Sequence, residues 1–127
     1  MKTVEFLKKV QFWLFIIVSG YFSLTPQPSA ILERTSDKIL HASGYFLLFI
    51  SCEFAYRKIR KLPAKIILLF FFSLTMELLQ YFIPGRHFSF LDLLANLAGL
   101  CAAYLILSIA AKRAGSRDGR SGDVLSF

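Results

Sequence analysis

The chain has 127 residues, 56% of them hydrophobic and 18% charged, and a soluble domain of this length has too little interior to bury so much apolar surface. Its net charge of +7 is compatible with nucleic-acid binding, but long apolar runs favour a membrane protein whose basic residues face the cytoplasm. The composition therefore argues against a soluble globular fold, and no nucleic-acid partner is predicted.

Four apolar runs follow one another along the chain. A membrane-spanning helix needs roughly 17–25 residues, and each run approaches or reaches that length. The predicted spans are residues 10–25, 39–56, 65–83 and 92–111. The sequence therefore predicts an all-α integral membrane bundle of four transmembrane helices, which forms one domain over residues 1–111.

The first run is the shortest, and its flanking residues extend its reach. Lys8 and Lys9 can snorkel to the membrane surface, and Trp13 suits the interface. The basic start and the following "PQPSA" also resemble a signal peptide, but Pro28 stands where cleavage needs a small residue. We therefore expect this run to remain as the first span, with cleavage as the alternative.

The second run carries polar residues at the end where its helix begins. Asp37, His41 and Tyr45 are spaced by four residues, so they share one face of a helix. Lys38 lies beside them in the sequence. This face is the first part of a predicted polar site.

The third and fourth runs and their connection bring further polar residues. Glu77 and Gln80 lie near the end of the third run, and Asp92 and Asn96 lie on one face at the start of the fourth. Arg86 lies in the short connection between them. A charge within a span costs at least roughly 2.5–3.5 kcal/mol, so these groups are expected to face one another or water in the outer half of the membrane.

The basic residues predict the topology. With both termini in the cytoplasm, only Arg34, Lys38 and Arg86 lie outside, and the other twelve of the 15 Lys and Arg residues lie inside. That distribution follows the positive-inside rule. The tail, residues 112–127, is basic and rich in Gly and Ser, so it is predicted to be disordered in the cytoplasm.

These residue types point to two kinds of chemistry. Buried carboxylates beside a histidine suit acid–base catalysis, and a guanidinium binds phosphate or carboxylate groups. The candidate acid–base residues are Glu77, His41 and Asp92, and the candidate ligand-binding residues are Arg86, Lys38, Asp37, Gln80, Asn96 and Tyr45. Asp37, His41, Glu77 and Asp92 are all possible metal ligands. The chain lacks an HExxH motif and a metal-binding Cys pair, so no metal or cofactor is predicted.

Several residues also have purely structural interpretations. Ser89 and Asp92 form the S-x-x-D pattern of a helix cap. Gly99 is suited to close helix packing, and Glu53 is spaced to pair with Arg57 on one helix face. A polar network that only locks the helices together therefore stays as an alternative to a ligand site.

Two segments carry a family resemblance, "SDKILHASGYFLLF" and "ELLQYFIPGRHFSFLDLLANLAG". Their pattern, D-K-x-x-H, then E-x-x-Q, P-x-R and D-x-x-x-N-x-x-G, resembles the VanZ-like family of small bacterial membrane proteins. The matching residues are Asp37, Lys38, His41, Glu77, Gln80, Pro84, Arg86, Asp92, Asn96 and Gly99. The resemblance implies a compact multi-span protein of the cell envelope. The family is named after a component of glycopeptide-resistance clusters that is linked to reduced teicoplanin sensitivity.

Together these observations predict a multi-pass protein of the bacterial cytoplasmic (inner) membrane with a polar site in its outer half. The expected partner is an anionic lipid head group or a lipid-linked envelope precursor, with a glycopeptide antibiotic as a further alternative. A membrane-embedded hydrolase or transferase using Glu77, His41 and Asp92 is the second hypothesis.

Overall fold

The computed structural model describes residues 1–26, 34–59 and 61–124. Within these ranges the chain forms helices only, namely α1 (Lys2–Leu24), α2 (Arg34–Ala55), α3 (Leu62–Gln80) and α4 (Phe90–Val124). The predicted all-α class is therefore confirmed. Most of the "PQPSA" segment, Arg60 and the last three residues of the predicted tail lie outside the described residues.

The helix ends have local causes. Proline lies in the first turn of α3, where its missing N–H costs no helical hydrogen bond. Gly85 supports the turn after α3 with a φ of 80°, a conformation that glycine adopts without strain. Ser89 then caps α4, because its Oγ accepts the backbone N–H of Asp92 at 3.3 Å. The capping role of Ser89 is therefore confirmed, whereas the carboxylate of Asp92 pairs with Lys38 and the N–H of Ser89 donates to Glu77.

Among the described residues, three helices are long and apolar enough to cross a membrane: α1, α3 and the Phe90–Arg117 part of α4. The predicted span 39–56 falls on α2, which is not among them. Asp37 and Lys38 near the start of α2, and Glu53 near its end, account for its greater polarity.

The centre of the bundle is α2. It packs against all three other helices, most extensively against α4. Leu48, Phe49 and Cys52 on α2 are almost fully buried. Because its neighbours cover much of its surface, α2 can carry polar side chains without exposing all of them at the surface of the bundle.

The α3 helix is apolar on the outside and polar on the inside. Ile67, Leu68 and Phe71 are exposed on its outer face. Its inward face carries buried residues at helical spacing, namely Lys65, Leu69, Ser73, Glu77 and Gln80. This arrangement is typical of a helix that is surrounded by lipid on one side and by polar protein groups on the other.

Two local expectations differ from the structure. The predicted pair of Glu53 and Arg57 is wrong, because α2 ends at Ala55 and Glu53 instead pairs with Lys65 on α3. The predicted disordered tail, 112–127, is helical as far as Val124. Low hydrophobicity predicts that a segment lacks a packed core, but the Ala, Lys and Arg residues that begin this tail still favour local helix.

Candidate functional site

A group of polar side chains connects α2, α3 and α4 where α3 ends and α4 begins. We call this group the polar cluster; it consists of Lys38, His41, Ser73, Glu77, Asp92 and Asn96. The Nζ of Lys38 lies 2.7 Å from Oδ1 of Asp92, which links the start of α2 to the start of α4. Both starts therefore lie at the same end of the bundle.

A chain of hydrogen bonds orients the ring of His41. The Nδ2 of Asn96 donates to Oγ of Ser73 at 2.7 Å, and its Oδ1 lies 3.1 Å from Nδ1 of His41. Since an amide oxygen only accepts hydrogen bonds, Nδ1 of His41 carries the proton. In the neutral ring Nε2 is then an acceptor, and it lies 3.8 Å from Oδ1 of Asp37.

Glu77 connects α3 to the cap of α4. Its side chain is buried, and Oε2 accepts the backbone N–H of Ser89 at 3.3 Å. Ser89 in turn caps the helix that carries Asp92 and Asn96. Glu77 therefore helps to set the start of α4, and it does not line the cavity described below.

Gln80 and Arg86 bind the end of α1. The Nε2 of Gln80 donates to the carbonyl oxygen of Ser23 at 2.9 Å. Arg86 donates from Nε to the carbonyl of Thr25 at 3.1 Å and from Nη2 to that of Phe22 at 2.8 Å. The last carbonyls of a helix lack partners within it and carry partial negative charge, so a guanidinium stabilises them. The structure thus gives these two predicted ligand-binding residues a protein partner.

A cavity of about 390 Å³ lies between α1 and α2, and we call it the α1–α2 cavity. Asp37, His41 and Arg86 contribute its charged or titratable groups, and Ser19, Ser23 and Tyr45 also line it. Its apolar wall comprises Phe15, Val18, Phe22, Leu40 and Leu48. The cavity therefore combines a polar region with an apolar one, as a lipid does.

The predicted site residues thus divide into four groups. Asp37, His41 and Tyr45 line the cavity, while Lys38, Asp92 and Asn96 lie in the polar cluster behind it. Gln80 and Arg86 hold α1, although Arg86 also reaches the cavity wall. Glu77 lies between the end of α3 and the start of α4, where it accepts the backbone N–H of Ser89.

Ser73 is not among the predicted site residues, but it is fully buried and bonded to Asn96. A serine within an apolar helix has no distinctive motif, since it can satisfy its hydroxyl on a carbonyl of its own helix. Thr75 does so here, bonding the carbonyl of Phe71. The available indication was spacing, because Ser73 precedes Glu77 by one helical turn and shares its inward face.

A family model described as VanZ/LLP1 matches residues 4–111 of the chain. The match includes every residue of the polar cluster and of the α1–α2 cavity. No curated protein and no solved structure matches the chain.

Proposed function

The chain belongs to the VanZ/LLP1 family, and on that premise we propose that it binds a lipid phosphate in the α1–α2 cavity, within the bacterial cytoplasmic membrane. The observation that carries the proposal is the composition of this cavity. Asp37, His41 and Arg86 form its polar part, and Phe15 and Leu48 belong to its apolar wall. A phosphate attached to an acyl or isoprenoid chain has the same division into a charged head and an apolar tail.

The size of the cavity favours a lipid head group over a glycopeptide antibiotic. Small-molecule sites are typically about 300–1,000 Å³, and a cavity of about 390 Å³ falls at the lower end of that range. A glycopeptide is several times larger than a phosphate head group. A phospholipid and a lipid-linked envelope precursor share the phosphate, and binding assays can distinguish them.

In this proposal α2 also crosses the membrane, which brings the number of transmembrane helices to four. Its outward face is apolar, with Ile39, Leu40, Leu47 and Phe54 exposed. Its polar residues are largely turned toward other helices: Lys38 bonds α4, and Glu53 bonds α3. This division supports a helix that crosses the membrane despite its lower overall hydropathy.

We propose that both termini are cytoplasmic and that the cavity opens in the outer half of the membrane. The α4 helix has 35 residues, or about 52 Å at 1.5 Å per residue, whereas the hydrocarbon core measures about 30 Å. Lys112, Arg113 and Arg117 lie in its C-terminal part. The basic extension then lies on the cytoplasmic side, as the positive-inside rule favours.

The topology can be tested with reporter fusions. Alkaline phosphatase needs disulfides that form outside the cytoplasm, so a fusion after His87 is expected to be active. A green fluorescent protein fused to the C-terminus is expected to fluoresce, because it folds in the cytoplasm. Enzyme activities and fluorescence are compared at equal amounts of fusion protein. The opposite result for either reporter would overturn the proposed topology.

Lipid binding can be tested by filling the cavity. Gly44 lines it, and a Cβ added there would meet no atom within 4 Å, so Gly44→Leu can extend into the cavity without a backbone clash. We expect this variant to bind short-chain phosphatidylglycerol or a short-chain polyprenyl phosphate about tenfold or more weakly than wild type. Binding to protein in detergent is measured by native mass spectrometry.

The matched control is Gly115→Leu, which is also sterically open but lies far along α4. It is expected to bind like wild type, and phosphatidylcholine tests whether a net negative head group is needed. If either phosphatidylglycerol or the polyprenyl phosphate binds more strongly than the other, that difference shows which class of lipid supplies the phosphate. Equal binding by Gly44→Leu and wild type would overturn the proposal.

The orientation of His41 also supports the acid–base alternative. Its Nε2 is an acceptor at the cavity wall, where it could take a proton from a substrate or from water. Hydrolysis or group transfer would appear in the same mass spectra as a new lipid product. Binding without a product favours a binding protein.

A further inference from the structure

Asp37, His41 and Asp92 bring metal-ligating atoms close together. One carboxylate oxygen from each aspartate and one ring nitrogen of His41 all lie within 4.8 Å of one another. The residues come from the first two turns of α2 and the first turn of α4. Asp37 and His41 are partly buried, and Asp92 is buried. No metal-binding motif is visible along the chain, because the three ligands come from two helices that are distant in sequence.

The polar cluster orients His41 as a metal ligand requires. A metal-binding histidine typically donates its other ring N–H to a carboxylate, carbonyl or water, which fixes the ring and its protonation. Here Nδ1–H donates to the amide oxygen of Asn96, and Asn96 is itself held by Ser73. Asn96 and Ser73 are both almost fully buried. The acceptor atom Nε2 is thereby directed toward Asp37.

The distances are close to those of an occupied site. With bonds of about 2.1 Å, two ligand atoms of a tetrahedral ion lie about 3.4 Å apart. Nε2 of His41 and Oδ1 of Asp37 are separated by 3.8 Å. All three ligand atoms lie within 4.8 Å of one another, so side-chain rotations that draw them together would complete the site.

The charges favour a divalent ion that works together with Lys38. The ammonium of Lys38 bonds Oδ1 of Asp92 and balances one of the two carboxylates. Arg86 at the cavity wall balances the other carboxylate, so these groups offer a phosphate no net positive charge. A divalent ion makes the net charge positive and offers coordination positions to a phosphate oxygen.

We infer that Asp37, His41 and Asp92 bind a divalent first-row metal ion, with Zn²⁺ and Mn²⁺ as the best candidates. An imidazole together with two carboxylates suits these ions better than it suits Mg²⁺ or Ca²⁺, which prefer oxygen ligands alone. The ion's role in holding the head group rests on the proposed function. Ion binding itself rests only on the three side chains and their orientation.

The test uses the full chain, purified in detergent without a polyhistidine tag and stripped with a chelator. Zn²⁺ and Mn²⁺ are titrated in competition with a chromophoric chelator. We expect one ion per chain, bound about tenfold or more weakly by His41→Ala and by Asp37→Asn. His87→Ala is the matched control, because the chain has two histidines and His87 is exposed in the α3–α4 connection.

Metal affinity in His41→Ala and Asp37→Asn equal to that of wild type would overturn the site. So would loss of binding in His87→Ala alone. Histidine ¹⁵N spectra of the wild type provide a test that needs no variant. Zn²⁺ is expected to shift the Nε2 resonance of His41 and to leave the resonances of His87 in place; the reverse pattern contradicts the site.

Lipid binding with and without chelator separates this inference from the proposed function. If the ion binds and Gly44→Leu leaves lipid binding unchanged, the metal site stands and the proposed lipid site fails. If lipid phosphate binds equally in the chelator and no ion is retained by the protein, the metal site fails and the lipid site stands.

Discussion

Gly99→Ala is expected to destabilise the bundle strongly. A Cβ at Gly99 would lie 2.1 Å from the carbonyl oxygen of Ala42, 2.9 Å from its carbonyl carbon and 3.1 Å from the backbone N of Phe46. All three are backbone atoms of α2, so no side-chain rotation can relieve the clash. Overpacking of a core typically costs about 1–3 kcal/mol, and we expect the upper end or more because whole helices must separate.

The cost extends beyond the methyl group itself. Small residues surround Gly99 in the contact between α2 and α4, among them Ala42, Ser43, Ala98 and Ala102. Helices in lipid associate largely through such close packing, because lipid and protein interior are similarly apolar. The bonds of Lys38 to Asp92 and of His41 to Asn96 cross the same pair of helices. Separation of the helices would therefore also weaken the polar cluster.

Thermal unfolding in detergent and the amount of folded protein in the membrane measure this effect. Gly115→Ala is the control, because it makes the same change in the same helix and its Cβ would meet no atom within 4 Å. Alanine favours helix over glycine by about 1 kcal/mol, so this control is expected to be neutral or slightly stabilising. A wild-type melting temperature for Gly99→Ala would contradict the close contact.

The helices were predictable because their causes are local. Long apolar runs, the proline at the start of α3 and the Ser89 cap of α4 can all be read along the chain. Spacing by four also placed Asp37 and His41 on one face, and both line the same cavity. The central position of α2, which lets the bundle accommodate its polar residues, could not be predicted in this way, because it depends on how all four helices pack.

The partners of Arg86 and Gln80 could not be predicted in the same way. Both bind backbone carbonyls at the end of α1, and every residue has a carbonyl, so no side-chain pattern marks the partner. One indirect indication exists, since α1 has no basic residue in its last turn. A cation from elsewhere in the fold can then stabilise the negative end of the helix. The pairing of Glu53 with Lys65 was equally unpredictable, because α2 ends at Ala55, before the expected partner Arg57.

Glu53→Ala is also expected to destabilise the bundle, by about 3 kcal/mol, the lower end of the usual cost of breaking a buried ion pair, because the side chain of Glu53 is 23% exposed. Lys65 is 5% exposed, and its ammonium pairs with Glu53 and donates to the carbonyl of Tyr56 at 3.0 Å. Without Glu53, a buried positive charge keeps only that neutral acceptor. The effect is measured as the loss of thermal and denaturant stability in detergent.

The chain offers a matched control in Glu5→Ala, which breaks another Glu–Lys pair. Glu5 and Lys58 lie 2.8 Å apart, but their side chains are 50% and 85% exposed, so water replaces the lost partner and little change is expected. Adding Lys65→Met to Glu53→Ala is expected to restore most of the stability, because the buried charge is then gone. If Lys65 can instead extend to the membrane surface, Glu53→Ala will be as mild as Glu5→Ala and the double variant will restore nothing. The comparison therefore decides whether the end of α2 is held to α3 by a buried charge pair or by apolar packing.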